Sequence, residues 1–136
     1  IYYAAIQEFK IAIQLSPNTQ ATAIFKNNLG ETCTFIGYPE MARVCFEDAI
    51  KLYGLNFEYY QNLAECYKTL GVTNSKMREL SSSKSPYDKI MLGLLQIQAG
   101  QTRKGVITLD DFCTQEPDLI ITPAIRQYLK EVTAKL

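Results

Sequence analysis

Residues 25–37 read FKNNLGETCTFIG, and residues 59–71 read YYQNLAECYKTLG. The two stretches align without a gap. Asn28 falls on Asn62, Leu29 on Leu63, Glu31 on Glu65 and Gly37 on Gly71, each pair 34 residues apart. A third copy begins at Leu92 and Gly93 and ends at Gly100. A fixed period of this length marks a repeated supersecondary unit. One such unit cannot bury its apolar face alone, so neighbours must stack.

Each copy is followed by a second helical pattern. After Gly37 come Ala42, Phe46, Ala49 and Ile50, which share one helical face. The opening segment repeats this with Ala5, Phe9, Ala12 and Ile13, stopping at Pro17, and Gly105, Leu109, Phe112 and Cys113 do so before Pro117. The unit is therefore two amphipathic helices joined by a glycine-bearing turn. A small residue at Gly30, Ala64 or Gly93 lets the facing helix come close, and Phe9 and Phe46 fill the space between pairs.

The departures from the period carry information. Ala5 to Ala42 is 37 residues, which puts an insertion near Asn18 to Thr22. Gly71 to Gly100 is only 29 residues, and the serine-rich run from Ser81 to Ser85 marks a shortened second helix there. Ser85–Pro86 and Thr122–Pro123 read as helix starts, a hydroxyl cap followed by proline in the first turn. Ile125, Tyr128, Leu129, Val132 and Leu136 then form one apolar stripe, as a terminal capping helix requires. The pattern predicts helices over about 1–15, 20–36, 40–53, 57–70, 74–83, 86–99, 102–115 and 123–135. They divide into a half repeat (1–18, second helix only), a repeat (19–56), a shortened repeat (57–85), a repeat (86–118) and a capping helix (119–136).

These residues resemble the tetratricopeptide repeat, whose period is 34 and whose pattern is W-x2-L-G-x2-Y, then a small residue, an aromatic, alanine and proline. Tyr60, Leu63, Ala64 and Tyr67 sit at the first-helix positions. Leu29 and Gly30 match the Leu-Gly pair, with Cys33 in place of the tyrosine. Ala42, Phe46 and Ala49 match the second helix, as do Ala5, Phe9, Ala12 and Pro17. The resemblance covers about residues 1–117. It implies an all-α fold, a right-handed α-solenoid of about three and a half antiparallel helix pairs plus the C-terminal capping helix.

Composition agrees with a helical binding module. The chain has 136 residues, 47% hydrophobic and 21% charged, with only 7 Gly and 5 Pro. Fourteen basic residues balance fourteen acidic ones, which argues against a nucleic-acid or anionic-membrane surface. There is no histidine, so the commonest general base and zinc ligand are missing. Cys33, Cys45, Cys66 and Cys113 form no C-x-x-C motif and are expected as reduced thiols inside helices. No apolar run reaches the roughly 18 residues of a membrane span. The reading expects no metal, cofactor or catalytic residue, and a cytoplasmic location. The opening at Ile1, without Met, suggests a piece of a larger protein whose first helix lacks its partner, a face open to self-association.

In the resembled family the first helices of successive pairs line a concave groove that takes a peptide. By register this implies a groove carrying Asn27, Asn28 and Glu31, then Gln61, Asn62, Glu65 and Lys68. Asn27 and Gln61 would form a polar ladder, and Glu31 and Glu65 would attract a basic side chain. Ile90, Leu94 and Ile97, spaced four and three apart, would add an apolar contact if the last helix leaves them open. The family's chaperone-binding carboxylate clamp needs cations. Its places here hold Asn27, Asn28, Glu31, Glu58 and Asn62, of which only Asn28 fits, so no chaperone carboxylate is expected to bind. From Lys68 to Lys104 seven bases face two acids, which reads as a solvated face. The expected function is a non-catalytic scaffold for an unidentified protein or peptide. The alternatives are a helical-repeat RNA-binding module and an accessory region of an enzyme whose catalytic domain lies elsewhere.

Overall fold

The computed structural model describes the backbone of residues 1–15 and 20–136 and the side chains of residues 1–11 and 20–136. The expected insertion at 18–22 and the proline stop at Pro17 lie wholly or partly outside them, as does the side chain of Ala12. Among the described residues there are eight α-helices and no strand. They are α1 (Tyr2–Leu15), α2 (Gln20–Phe35), α3 (Pro39–Leu52), α4 (Phe57–Leu70), α5 (Thr73–Ser81), α6 (Asp88–Gln98), α7 (Thr102–Gln115) and α8 (Thr122–Thr133). Every helix starts and ends within two residues of its predicted bounds.

Glycine punctuates the pairs. Gly37, Gly71 and Gly100 have φ of 85°, 72° and 88°, a left-handed conformation that side chains resist. At the end of α2, Tyr38 N donates to Cys33 O (2.8 Å) and Gly37 N to Thr34 O (3.2 Å). The end of α6 repeats this, with Gln101 N on Gln96 O (2.8 Å) and Gly100 N on Ile97 O (3.1 Å). These bonds satisfy carbonyls that a helix end leaves without partners.

Two expected caps are not made. Ser85 does not cap α6. Pro86 and Tyr87 form a turn, with Asp88 N on Ser85 O (3.2 Å) and Lys89 N on Pro86 O (3.2 Å), and the helix begins two residues later. The Ser83 hydroxyl bonds the Asp88 carboxylate instead. Thr122 is itself the first residue of α8. Its buried hydroxyl donates back to Glu116 O (2.5 Å), closing the end of α7 rather than the start of α8.

The chain forms two compact units, Ile1–Leu70 and Gly71–Leu136. In the first, α1 packs on α2, α2 on α3 and α3 on α4, and α2 also touches α4. Its core holds Leu29, Cys33, Ala42, Phe46, Ala49, Tyr59, Tyr60, Leu63 and Tyr67, all buried. Burying a side chain the size of Phe46 contributes about 1.5–3 kcal/mol. Polar bonds fix the helix contacts. Lys26 Nζ meets Asp48 Oδ2 at 3.0 Å. The Tyr67 hydroxyl donates to Glu47 Oε2 (2.7 Å), whose Oε1 accepts from Arg43 (3.1 Å). The Tyr60 hydroxyl donates to Gly54 O (2.9 Å).

In the second unit α5 packs on α6, α6 on α7 and α7 on α8. Ile90, Leu95, Leu109, Phe112, Cys113, Ile121 and Ile125 are buried, whereas α5 buries no residue. Here α6 and α7 meet through glycines. A Cβ at Gly93 would stand 2.5 Å from Leu109 Cγ, and one at Gly105 2.6 Å from Gly93 O. The last helix seats Ile125 and Leu129 as its apolar stripe predicts and pairs Arg126 with Asp110.

Candidate functional site

An open hollow of about 260 Å³ lies in the first unit, between α2 and α4. Glu31 and Glu65, one period apart in sequence, both line it. Phe35 and Phe46 supply its apolar surface. Phe35 is 72% exposed, and the ring of Tyr2 tilts against it at a centroid distance of 5.0 Å. Asn62, Cys66 and the hydroxyls of Thr34 and Thr69 complete the lining.

The polar groups are organised in a relay. Asn62 Nδ2 donates to Asn27 Oδ1 (3.0 Å), and Asn27 Nδ2 donates to Glu31 Oε1 (2.8 Å). Asn27 is only 4% exposed, so its amide ties α4 to α2 from within and holds one carboxylate of the hollow. Thr34 Oγ1 donates to Gly30 O (3.0 Å), and Thr69 Oγ1 to Glu65 O (3.2 Å). Both hydroxyl protons are thus directed at their own helices, and the oxygens remain as acceptors.

The sequence-derived site residues therefore separate. Glu31, Asn62 and Glu65 line one hollow. Asn27 is buried and pairs with Asn62, so the expected surface ladder of Asn27 with Gln61 is not formed. Gln61 and Lys68 are exposed on α4 but do not line the hollow, and neither does half-buried Asn28. Thr34, Phe35, Cys66 and Thr69 were not anticipated. A signal for two of them was present: Phe35 and Thr69 are one period apart and each follows its glutamate by four residues.

The apolar contact on α6 is corrected. Ile90 and Leu94 are buried in the second unit, 0% and 5% exposed, and offer nothing to a ligand. Ile97 is half-buried and borders a separate hollow of about 310 Å³ with Tyr128 and Val132 of α8.

All four thiols are free and buried. Burial raises each above the ordinary thiol range, Cys45 most clearly, to about 11. Such thiols are poor nucleophiles and poor metal ligands. No cluster of three metal-ligating side chains occurs among the described residues, and no described helix is long and apolar enough to cross a membrane.

The hollow sits between first helices of successive pairs, and the same register appears in comparisons with known proteins. The family model described as "Tetratricopeptide repeat" matches residues 24–54, the α2–α3 pair. A crystal structure of MamA superposes at a TM-score of 0.54 with 18% identity, covering 98% of this chain and 88% of that one. A second MamA crystal structure gives 0.53 and 18%, covering 98% and 82%. No curated protein is significantly similar in sequence. The matched pair, the recurrence of its pattern at 34 residues and the helical fold together make this chain a member of the tetratricopeptide-repeat family.

Proposed function

We propose that the chain is a non-catalytic scaffold that holds a segment of another protein in the hollow between α2 and α4. The tetratricopeptide-repeat fold is itself a protein-interaction architecture. The observation that carries the finer reading is the lining of this hollow. Residues one period apart, Glu31 with Glu65 and Phe35 with Thr69, converge on one open surface. Exposing Phe35 to water to the extent of 72% costs free energy that a bound apolar group returns.

A photo-crosslinking amino acid at Thr34, with one at exposed Lys104 as control, tests the proposal in extract of the source cells. The expected result is a discrete protein adduct from position 34 that is absent from position 104. Equal labelling from both positions overturns it.

A further inference from the structure

We infer that the α2–α4 hollow selects an extended segment in which a lysine or arginine stands two residues from an apolar side chain. This rests on the proposed reading of the hollow as a binding groove and adds the chemistry of the partner.

The hollow presents acceptors. Glu31 and Glu65 are both exposed carboxylates in its lining, and the lining contains no basic side chain. The bond from Asn27 occupies Glu31 at one oxygen only, and a carboxylate offers about four lone-pair sites. The hydroxyl protons of Thr34 and Thr69 are spent on Gly30 O and Glu65 O. A surface of carboxylates and hydroxyl lone pairs calls for donors, which a protonated amine or guanidinium and a peptide N–H supply. It repels a phosphate or a terminal carboxylate.

Spacing defines the rest. Phe35 follows Glu31 by four residues, which places the two about 6 Å apart along one face of α2. In an extended chain, side chains two residues apart project to the same side at about 6.6–7 Å. A cation near Glu31 and Glu65 therefore puts the second residue along over Phe35. Volume favours the extended form over a helix. One turn of helix with its side chains fills about 400 Å³, more than the 260 Å³ of the hollow.

Selection of a displayed library of random dodecapeptides on the 136-residue chain tests this. It is followed by fluorescence anisotropy of the enriched peptide with wild-type protein, the Glu31→Gln/Glu65→Gln variant and Phe35→Ala. All three positions are exposed, and matching unfolding curves confirm that the variants are folded. Enriched peptides are expected to carry Lys or Arg two residues from a Leu, Ile or Phe. Both variants should weaken binding at least tenfold. Exchanging the peptide's cation for Glu should abolish binding to wild type and restore it to Glu31→Lys/Glu65→Lys. Dependence on Phe35 without dependence on the carboxylates overturns the cation assignment and leaves the groove reading standing. Peptides indifferent to all these substitutions, or no enrichment, overturn both.

Discussion

The ring of Phe46 lies on the α-carbon of Gly30: a methyl group built at Gly30 would stand 2.5 Å from Phe46 Cε1 and 2.8 Å from Cδ1. This contact joins α2 to α3, and Phe46 is only 2% exposed. Gly30→Ala should therefore destabilise the first unit by about 1–3 kcal/mol, the usual cost of overpacking. The check is the urea midpoint. Adding Phe46→Leu to Gly30→Ala should recover part of the loss, because the branched side chain can retreat where the ring cannot.

Gly93 and Gly105 play the same part between α6 and α7, but unequally. A Cβ at Gly93 meets chiefly the Leu109 side chain, whereas one at Gly105 meets Gly93 O at 2.6 Å and Ile97 N at 2.9 Å. A side chain can change rotamer, but a backbone atom cannot move without its helix. Gly105→Ala should thus cost more than Gly93→Ala in chemical denaturation. Equal losses would contradict the assigned contacts.

Asn27 bridges Asn62 and Glu31 from a buried position. Asn27→Ala strands the Asn62 amide and the Glu31 carboxylate at once, and should cost about 1–3 kcal/mol. Gln61→Ala, on the exposed side of α4, should stay within about 0.5 kcal/mol. Parallel urea titrations of the two variants compare them directly.

The buried thiols predict loss of stability in alkali. Burial raises Cys45 from 9.0 to about 11, with nearby Cys33 adding to the shift. The unfolded chain releases this proton near pH 9 and the folded chain does not. Stability from this site is complete below pH 9 and falls between pH 9 and 11, by on the order of 2 kcal/mol. Burial raises Tyr59 and Tyr128 as well, with the same sign. Urea midpoints at pH 8 and 10.5 check this. In the folded protein at pH 8, Cys45 should resist a thiol-alkylating reagent.

Sequence showed the helices well because the repeat encodes them twice, once in apolar spacing and once in glycines at positive φ. Both signals are local. Ser85 and Thr122 misled because a hydroxyl before proline can donate as well as accept, and Thr122 donates to Glu116, six residues back. In the hollow, register alone brought Glu31 and Glu65 together. It could not show that Asn27 turns inward to Asn62 across two helices, since a position one residue from the groove face can be exposed or buried. Ile90 and Leu94 were ambiguous for a related reason: apolar spacing identifies a face but not what covers it.

The connections within the two tight pairs are short: three residues separate α2 from α3, and three separate α6 from α7. Within each unit, helices pack on sequence neighbours, α2 with α4 being the added contact. Closing such short loops carries little entropic cost, and chains rich in local contacts fold in microseconds to milliseconds. Either hairpin can nucleate without waiting for a distant strand or terminus. The three-residue glycine turns thus set the tempo of folding as well as the position of the helices.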